Sequence, residues 1–181
     1  MRWLVWVFAL SVMAVSLFAD VRGCVCDPAN RESMEARGCG LTKESLSQPA
    51  NVKYFFLKDS NPRKPNRWLI LPTGSGAAAQ FIEEMTKEQR LELWRAAVAK
   101  AKELFGDEWG LAYNGTTVRT QCHFHIHIGR FIKAAETSRF KTIYRLEDIP
   151  VPQDGGLWIH PVGRGYHVHE GEQICETALV R

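Results

Sequence analysis

Hydrophobic and polar positions fall into blocks along this chain, and the spacing inside each block predicts an element. Trp3 through Ala19 is uncharged and almost wholly apolar. Residues 27–50 form a polar, irregular lead-in. Val52 to Leu57 is dense in aromatic and β-branched residues and reads as a strand. Asp59-Ser60-Asn61-Pro62 turns the chain, and Arg67 to Leu71 makes a second strand stopped by Pro72. Thr73-Gly74-Ser75-Gly76 links to a short helix ending near Glu84. The clearest helix starts at Thr86, which stands at capping-box spacing from Gln89. Leu91, Trp94, Val98, Ala101 and Phe105 recur along it as one apolar stripe, and Gly106 stands where a helix-ending glycine belongs. Trp109 to Tyr113 is a third strand, Asn114-Gly115 begins a turn, and His123 to Ile128 alternates strictly as a fourth strand. Lys133 to Arg145 is expected to begin as helix and Pro150 to Gly156 to be loop, with late strands at Leu157–Ile159 and Gly165–Val168. These elements imply an α+β fold: a single domain in which an antiparallel sheet is backed by helices.

The 181 residues suffice for one domain with a real core, and 45% hydrophobic with 24% charged residues is an ordinary globular balance. The net charge of +3 suits a phosphate-bearing substrate, but no basic run is long enough to track a nucleic acid backbone. Arg63, Lys64 and Arg67 are the densest basic group, and they read as a polar loop. Met1-Arg2 followed by the apolar run has the layout of a secretory signal or an uncleaved anchor over residues 1–23. A membrane span takes ~20 apolar residues, so the run is slightly short for a permanent anchor. Cleavage sites offer themselves after Ser16, Ala19 or Gly23, and Val21-Arg22-Gly23-Cys24 faintly resembles a lipoprotein processing site. The expected location is outside the cytoplasm, periplasmic or anchored in the membrane and facing the periplasm.

Export changes how the cysteines read, because thiols pair in an oxidising compartment. There are five, Cys24, Cys26, Cys39, Cys122 and Cys175, so one is left free, lipidated or intermolecular. Cys26 and Cys39 flank a polar loop and are the first choice for a bridge, with Cys24 and Cys39 nearly as good. A metal knuckle on Cys24-Val25-Cys26 competes, but it lacks the usual two-residue gap and a partner pair.

The chemistry concentrates in Gln121-Cys122-His123-Phe124-His125-Ile126-His127-Ile128. Side chains alternate faces along a strand, so His123, His125 and His127 should share one face, opening on a cleft, while Phe124, Ile126 and Ile128 enter the core. Three ligands on one ion is geometrically poor. Cα atoms four residues apart along a strand lie ~13 Å apart, whereas zinc holds each nitrogen at ~2.0–2.1 Å. Nucleophilic attack on phosphorus fits better, with one ring nitrogen kept protonated by a carbonyl and the other free to attack. His125, flanked on both sides, is the natural nucleophile. No metal or other cofactor is expected for it.

The stretch His-Phe-His-Ile-His-Ile resembles the histidine-triad pattern, and the order of strand, Pro-ended strand, long helix, strand ending in Asn114 and triad extends the likeness over roughly residues 50–131. Within that superfamily the chain is most similar to CDP-diacylglycerol pyrophosphatases, in which an Asn and a short turn precede Arg-Thr-Gln, one variable residue and His-Phe-His-Ile-His. Asn114, Arg119-Thr120-Gln121, Cys122 and His123–His127 stand in those places. The resemblance implies His125 as nucleophile and His127 and His123 as assistants at the phosphates and leaving group. It also implies Asn114, Arg119, Thr120 and Gln121 as substrate-binding donors. The implied organisation is a signal or anchor (1–23), a cysteine-containing lead-in (24–50), a histidine-triad catalytic domain (51–147) and a C-terminal extension packing on it (148–181).

The implied reaction is hydrolysis of a nucleotide pyrophosphate bond, CDP-diacylglycerol to CMP and phosphatidate. Its partners would be a nucleotide or CDP-lipid substrate, with membrane association through the N-terminal segment, and no nucleic acid. Two alternatives remain: a secreted triad hydrolase or nucleotidyl transferase acting on soluble nucleotides, and a non-enzymatic periplasmic metal-binding protein using both His-x-His clusters. The C-terminal His160, His167, His169, Glu170, Glu172 and Glu176 read first as an exposed polar hairpin, then as contributors to the active site or an independent metal site.

Overall fold

The structure, a computed structural model, describes residues 20–153 and 155–181. The apolar segment predicted as signal or anchor lies outside the described residues except at its end, where Val21 is buried and its N–H donates to the Thr116 carbonyl at 3.0 Å. The fold is α+β, built on a seven-stranded antiparallel sheet. The strands are β1 (Tyr54–Lys58), β2 (Trp68–Pro72), β3 (Trp109–Tyr113), β4 (Ile126–Arg130), β5 (Lys141–Ile143), β6 (Leu157–Val162) and β7 (Gly165–Glu170). Their order across the sheet is β1-β2-β4-β3-β6-β7-β5.

Helices α1 (Arg31–Met34) and α2 (Gly40–Leu46) occupy the lead-in expected to be irregular, while α3 (Ala77–Gln80) and α4 (Lys87–Phe105) follow β2. The Thr86–Gln89 capping box forms as expected, and Gly106 ends α4 at φ +59°. The buried face of α4 is Leu93, Trp94, Ala97, Val98 and Ala101, so Leu91, placed on the stripe from sequence, lies off it. That face packs on Ile70, Leu111, Ile126, Ile128 and Ile159, the inward residues of the central strands, with Phe124 beside them.

The opposite sheet face carries His127. One cross-strand row runs Leu69 (β2), His127 (β4), Ala112 (β3), Trp158 (β6) and His169 (β7). Directly opposed residues share a face. At the β1–β2 end this face is covered by the lead-in, through Leu41 packed with Phe55, Leu69 and Leu71. Over its middle lies a 3-10 turn, Cys175–Ala178, packed with Leu179 on Ala112 and Trp158. Gly110 and Gly129 face each other across β3 and β4 and make the flat seat for Leu179. A Cβ on Gly110 would stand 2.5 Å from the Leu179 side chain.

Residues 148–181, expected as an extension, instead supply β6 against β3 inside the sheet. The segment 133–145 opens with one 3-10 turn and then makes strand β5, not helix. Helix needs a sustained apolar stripe, and Lys133–Ala135 is followed by polar Glu136 and Thr137.

Candidate active site

The triad is only partly strand. β4 starts at Ile126, so His127 alone lies in the ladder, while His123 ends a bend and His125 immediately precedes the strand. The expected alternation still holds, for Phe124, Ile126 and Ile128 are all in the core beneath α4. The three histidines do not share a cleft, however. His125 and His127 line a cavity of 610 Å³, and His123 does not. His123 is fully buried, and its Nε2 lies 2.8 Å from the Pro72 carbonyl. Two residues of separation would have brought all three to one surface only if the ladder had reached back to His123.

His125 is held through the backbone of His123. Its Nδ1 lies 3.0 Å from the His123 carbonyl. A carbonyl only accepts, so Nδ1 carries the proton and Nε2 carries the lone pair. Burial pushes the His125 imidazole down to about 4, more than the hydrogen bond to His123 raises it. Burial likewise takes His123 to about 4 and holds His127 well below the usual range. All three rings are therefore neutral at physiological pH. The His125 and His127 rings meet edge to face at 4.9 Å.

Around them stand residues from distant parts of the chain. Asn114, at the end of β3, places its Nδ2 3.5 Å from His127 Nε2 and accepts from the Glu176 N–H at 3.0 Å. Glu176 lies 3.8 Å from His127 Nδ1. Its carboxylate is bound by Lys64 and by Arg67 Nη1, the latter at 2.7 Å. Burial opposes ionisation of Glu176, yet the Lys64 hydrogen bond and the Lys64 and Arg67 charges hold its carboxyl below the ordinary range. Arg67, fully buried, also donates to the backbone carbonyls of Glu176, Leu179 and Val180, so one guanidinium fastens the C-terminal segment beside His127.

Lys64 and Arg67 are thus not a polar loop, and Glu176 is not on an exposed hairpin. Neither role has a local signal, since the pair is brought together across 109 residues. The one available clue was a basic cluster with no acidic neighbour of its own beyond Asp59.

Arg119, Thr120 and Gln121 all line the cavity, as does Asn114. Arg119 is buried and donates from Nη2 to the Gln80 carbonyl at 2.9 Å, while its Nε and Nη1 have no partner. Leaving a buried donor unpaired costs about 1–3 kcal/mol. The Tyr113 and Phe81 rings flank the guanidinium at 5.6 and 6.0 Å. Thr120 is exposed at the rim. Gln121 is a tie rather than a free donor: its side chain accepts from Leu41 N–H and donates to the Arg37 carbonyl, joining α2 to the triad segment.

The same segment is stapled covalently. Cys24 bridges Cys122, immediately before His123, and Cys26 bridges Cys39 as expected. The Cys24–Cys39 alternative and the cysteine metal knuckle are both displaced by this pairing. Cys175, the first residue of the C-terminal turn, is a free thiol and is buried. Two disulfides place the fold in an oxidising, exported setting. Among the described residues no helix is long and apolar enough to cross a membrane.

The second His-x-His cluster behaves differently from the triad. Among the described residues, Glu136, His160, His167 and His169 bring one ligand atom each within 4.8 Å of one another, and the triad is not such a group. No protein-family model matches the chain.

Proposed function

We infer that this protein is a histidine-triad phosphohydrolase that cleaves a nucleotide pyrophosphate bond, that of CDP-diacylglycerol. The observation that carries the reading is His125, with its Nδ1–H fixed on the His123 carbonyl and a neutral ring at the wall of a 610 Å³ cavity. That is the protonation state of a nitrogen nucleophile at neutral pH. Arg119 borders the same cavity and would bring a positive charge to a phosphate bound there. The cavity also holds Lys58 and Arg37 at its edge, which suits a second phosphate.

In this reading His125 Nε2 attacks the phosphorus of the nucleoside monophosphate unit. An N–P bond forms and the bridging P–O bond breaks, so phosphatidate leaves with the bonding electrons. Water then attacks the phosphoramidate, CMP departs and the imidazole is regenerated. His127, hydrogen-bonded by Asn114 and set beside the Glu176 carboxylate, is placed to contact the non-bridging oxygens or the attacking water. His123 acts at one remove, by holding the His125 tautomer.

The test is a substrate panel of CDP-diacylglycerol, CDP-choline, ADP-ribose and diadenosine polyphosphates, run with wild type, His125→Ala, His127→Ala and His123→Ala. His125→Ala should abolish turnover. His127→Ala should cost ~10²–10³ in rate, the usual loss for a charge-stabilising hydrogen bond, and His123→Ala should leave residual activity. Alkaline quench and peptide mapping should find the nucleotidyl adduct on His125, since phosphoramidates survive base and not acid. Full activity in His125→Ala would falsify the mechanism. Turnover of the soluble nucleotides alone would transfer the reading to a secreted hydrolase of free nucleotides.

A further inference from the structure

The sheet face that carries His127 also carries a second constellation on β6 and β7. His160 and His167 are direct cross-strand partners, and His169 lies two residues beyond His167 on the same face. This is a tripod, not a row. Its members are near neighbours on two strands, whereas three histidines along one strand spread too far for a single ion. A fourth donor, Glu136, comes from the turn before β5. Its carboxylate lies 2.5 Å from His160 Nε2, 3.2 Å from His167 Nδ1 and 3.2 Å from His169 Nε2.

Hydrogen bonding accounts for only one contact in this gathering, His167 Nδ1 with Glu136 at 3.2 Å. His160 Nε2 and His169 Nε2 are buried and among the described residues neither has a hydrogen-bond partner, despite their closeness to the carboxylate. They approach it out of line for donation, as lone pairs converging on a common centre do. A tetrahedral set at 2.0–2.1 Å has its donors about 3.4 Å apart, and the four ligand atoms here already lie within 4.8 Å of one another, so a small inward shift of the side chains would close the set. His169 Nδ1 lies 3.3 Å from the Thr137 hydroxyl, a contact that fixes the ring and aims its Nε2 at the common centre.

Each ring also has its own aromatic plate. Phe131 stacks on His160 at 3.9 Å, Phe140 on His167 at 3.7 Å and Trp158 on His169 at 3.5 Å. Three imidazoles immobilised in this way have lost their rotamer entropy before any ion arrives, which favours binding. Glu136 and His160 also border a 460 Å³ recess, which gives an ion a path in from solvent.

We propose that Glu136, His160, His167 and His169 bind one divalent transition-metal ion of the zinc class, as a structural clamp separate from the triad. Three imidazoles and one carboxylate are an N₃O set suited to zinc and its neighbours rather than to calcium or magnesium. Four protein donors leave no open position, which marks a structural rather than a catalytic centre. The clamp joins the turn before β5 to the β6–β7 hairpin at the far end of the sheet. His127 and His169 stand on the same cross-strand row, three strand spacings apart, or about 14 Å. The two sites are therefore distinct.

The proposal is tested without any measurement of turnover. Full-length untagged protein is stripped with a chelator and titrated with Co²⁺ and with Zn²⁺. One Co²⁺ per chain should bind with the intense visible absorption of four-coordinate cobalt, and Zn²⁺ should displace it. Zn²⁺ at a hundredfold excess over Kd should raise the folded-to-unfolded ratio about a hundredfold, read as a higher melting temperature. Glu136→Gln and His167→Asn, both at partly exposed positions and near in shape to the residues they replace, should keep the fold by circular dichroism and lose both effects. His125→Ala should retain them. Substoichiometric binding in wild type, or binding that survives in the Glu136→Gln/His167→Asn double variant, overturns the proposal. So does binding lost in His125→Ala.

Discussion

At the scale of single residues, His123 and His125 show how one side-chain type acquires two jobs. They are two positions apart and both buried, but His125 borders the cavity with its Nε2 lone pair while His123 has its Nε2 on the Pro72 carbonyl. Both are neutral in the folded protein, with pKa values near 4 set chiefly by burial. In the unfolded chain they titrate near the ordinary histidine value of about 6.5. Between those values the unfolded state binds more protons than the folded one, so folding stability falls as pH drops from about 6.5 toward 4. The urea midpoint should decline across that window. A His123→Gln variant, which cannot take up that proton, should decline less steeply. A wild-type midpoint that stays level between pH 7 and 5 would show that these rings are not held neutral by burial. If His125 is the nucleophile as proposed, it stays unprotonated down to about pH 4, so the acid limb of kcat/KM should lie well below 6.5.

At the scale of elements, the sheet has one face packed on α4 and one that carries the candidate site, and strand alternation keeps them apart. Phe124, Ile126 and Ile128 bury against α4 while His127 looks the other way. The C-terminal turn reaches His127 only because two glycines lie opposite each other on β3 and β4. Gly110→Val should collide with Leu179 and Phe131, which lie within 2.5 and 3.3 Å of the added Cβ. The expected loss is about 1–3 kcal/mol, typical of overpacking, read from chemical denaturation. It should be accompanied by faster proteolysis at the C terminus, because Leu179 and the Arg67 contacts hold that segment down. Unchanged stability would mean that the seat is not the anchor.

At the scale of the whole molecule, the lead-in, the sheet and the C-terminal segment close around one cavity, and two cross-links hold the lead-in in place. The Cys24–Cys122 bridge spans 98 residues and ends beside the triad, whereas Cys26–Cys39 spans 13. Loop-closure entropy assigns the long bridge about 4–5 kcal/mol and the short one about 3 kcal/mol. Reduction should therefore lower the unfolding free energy by several kcal/mol. Cys122→Ser with Cys24→Ser should account for more of that loss than Cys26→Ser with Cys39→Ser. Denaturation with and without a phosphine reductant measures both. Equal stability in the two states would place the lead-in outside the cooperative unit.

The elements with a strong local period were legible in the chain alone. Trp109–Tyr113, the capping box at Thr86 and Gln89, and the burial of Phe124, Ile126 and Ile128 between the histidines appear in the structure as read, whereas His123 does not join His125 and His127 at the cavity. Period and capping are properties of neighbouring residues, so a short window contains them. The start of β4 and the strand at Lys141–Ile143 were not legible, because pairing with a partner strand, not local pattern, decides where a ladder begins. Most of the candidate site was named by the run from Asn114 to His127. Glu176, Lys64, Arg67 and the second half of the Cys122 bridge were not, for each acquires its place from a partner about a hundred residues away. The same holds for Glu136, isolated in sequence between Ala135 and Thr137, which meets three imidazoles only because antiparallel pairing sets His160 opposite His167. Local chemistry chose the residue types, and the closing of the sheet decided which of them meet.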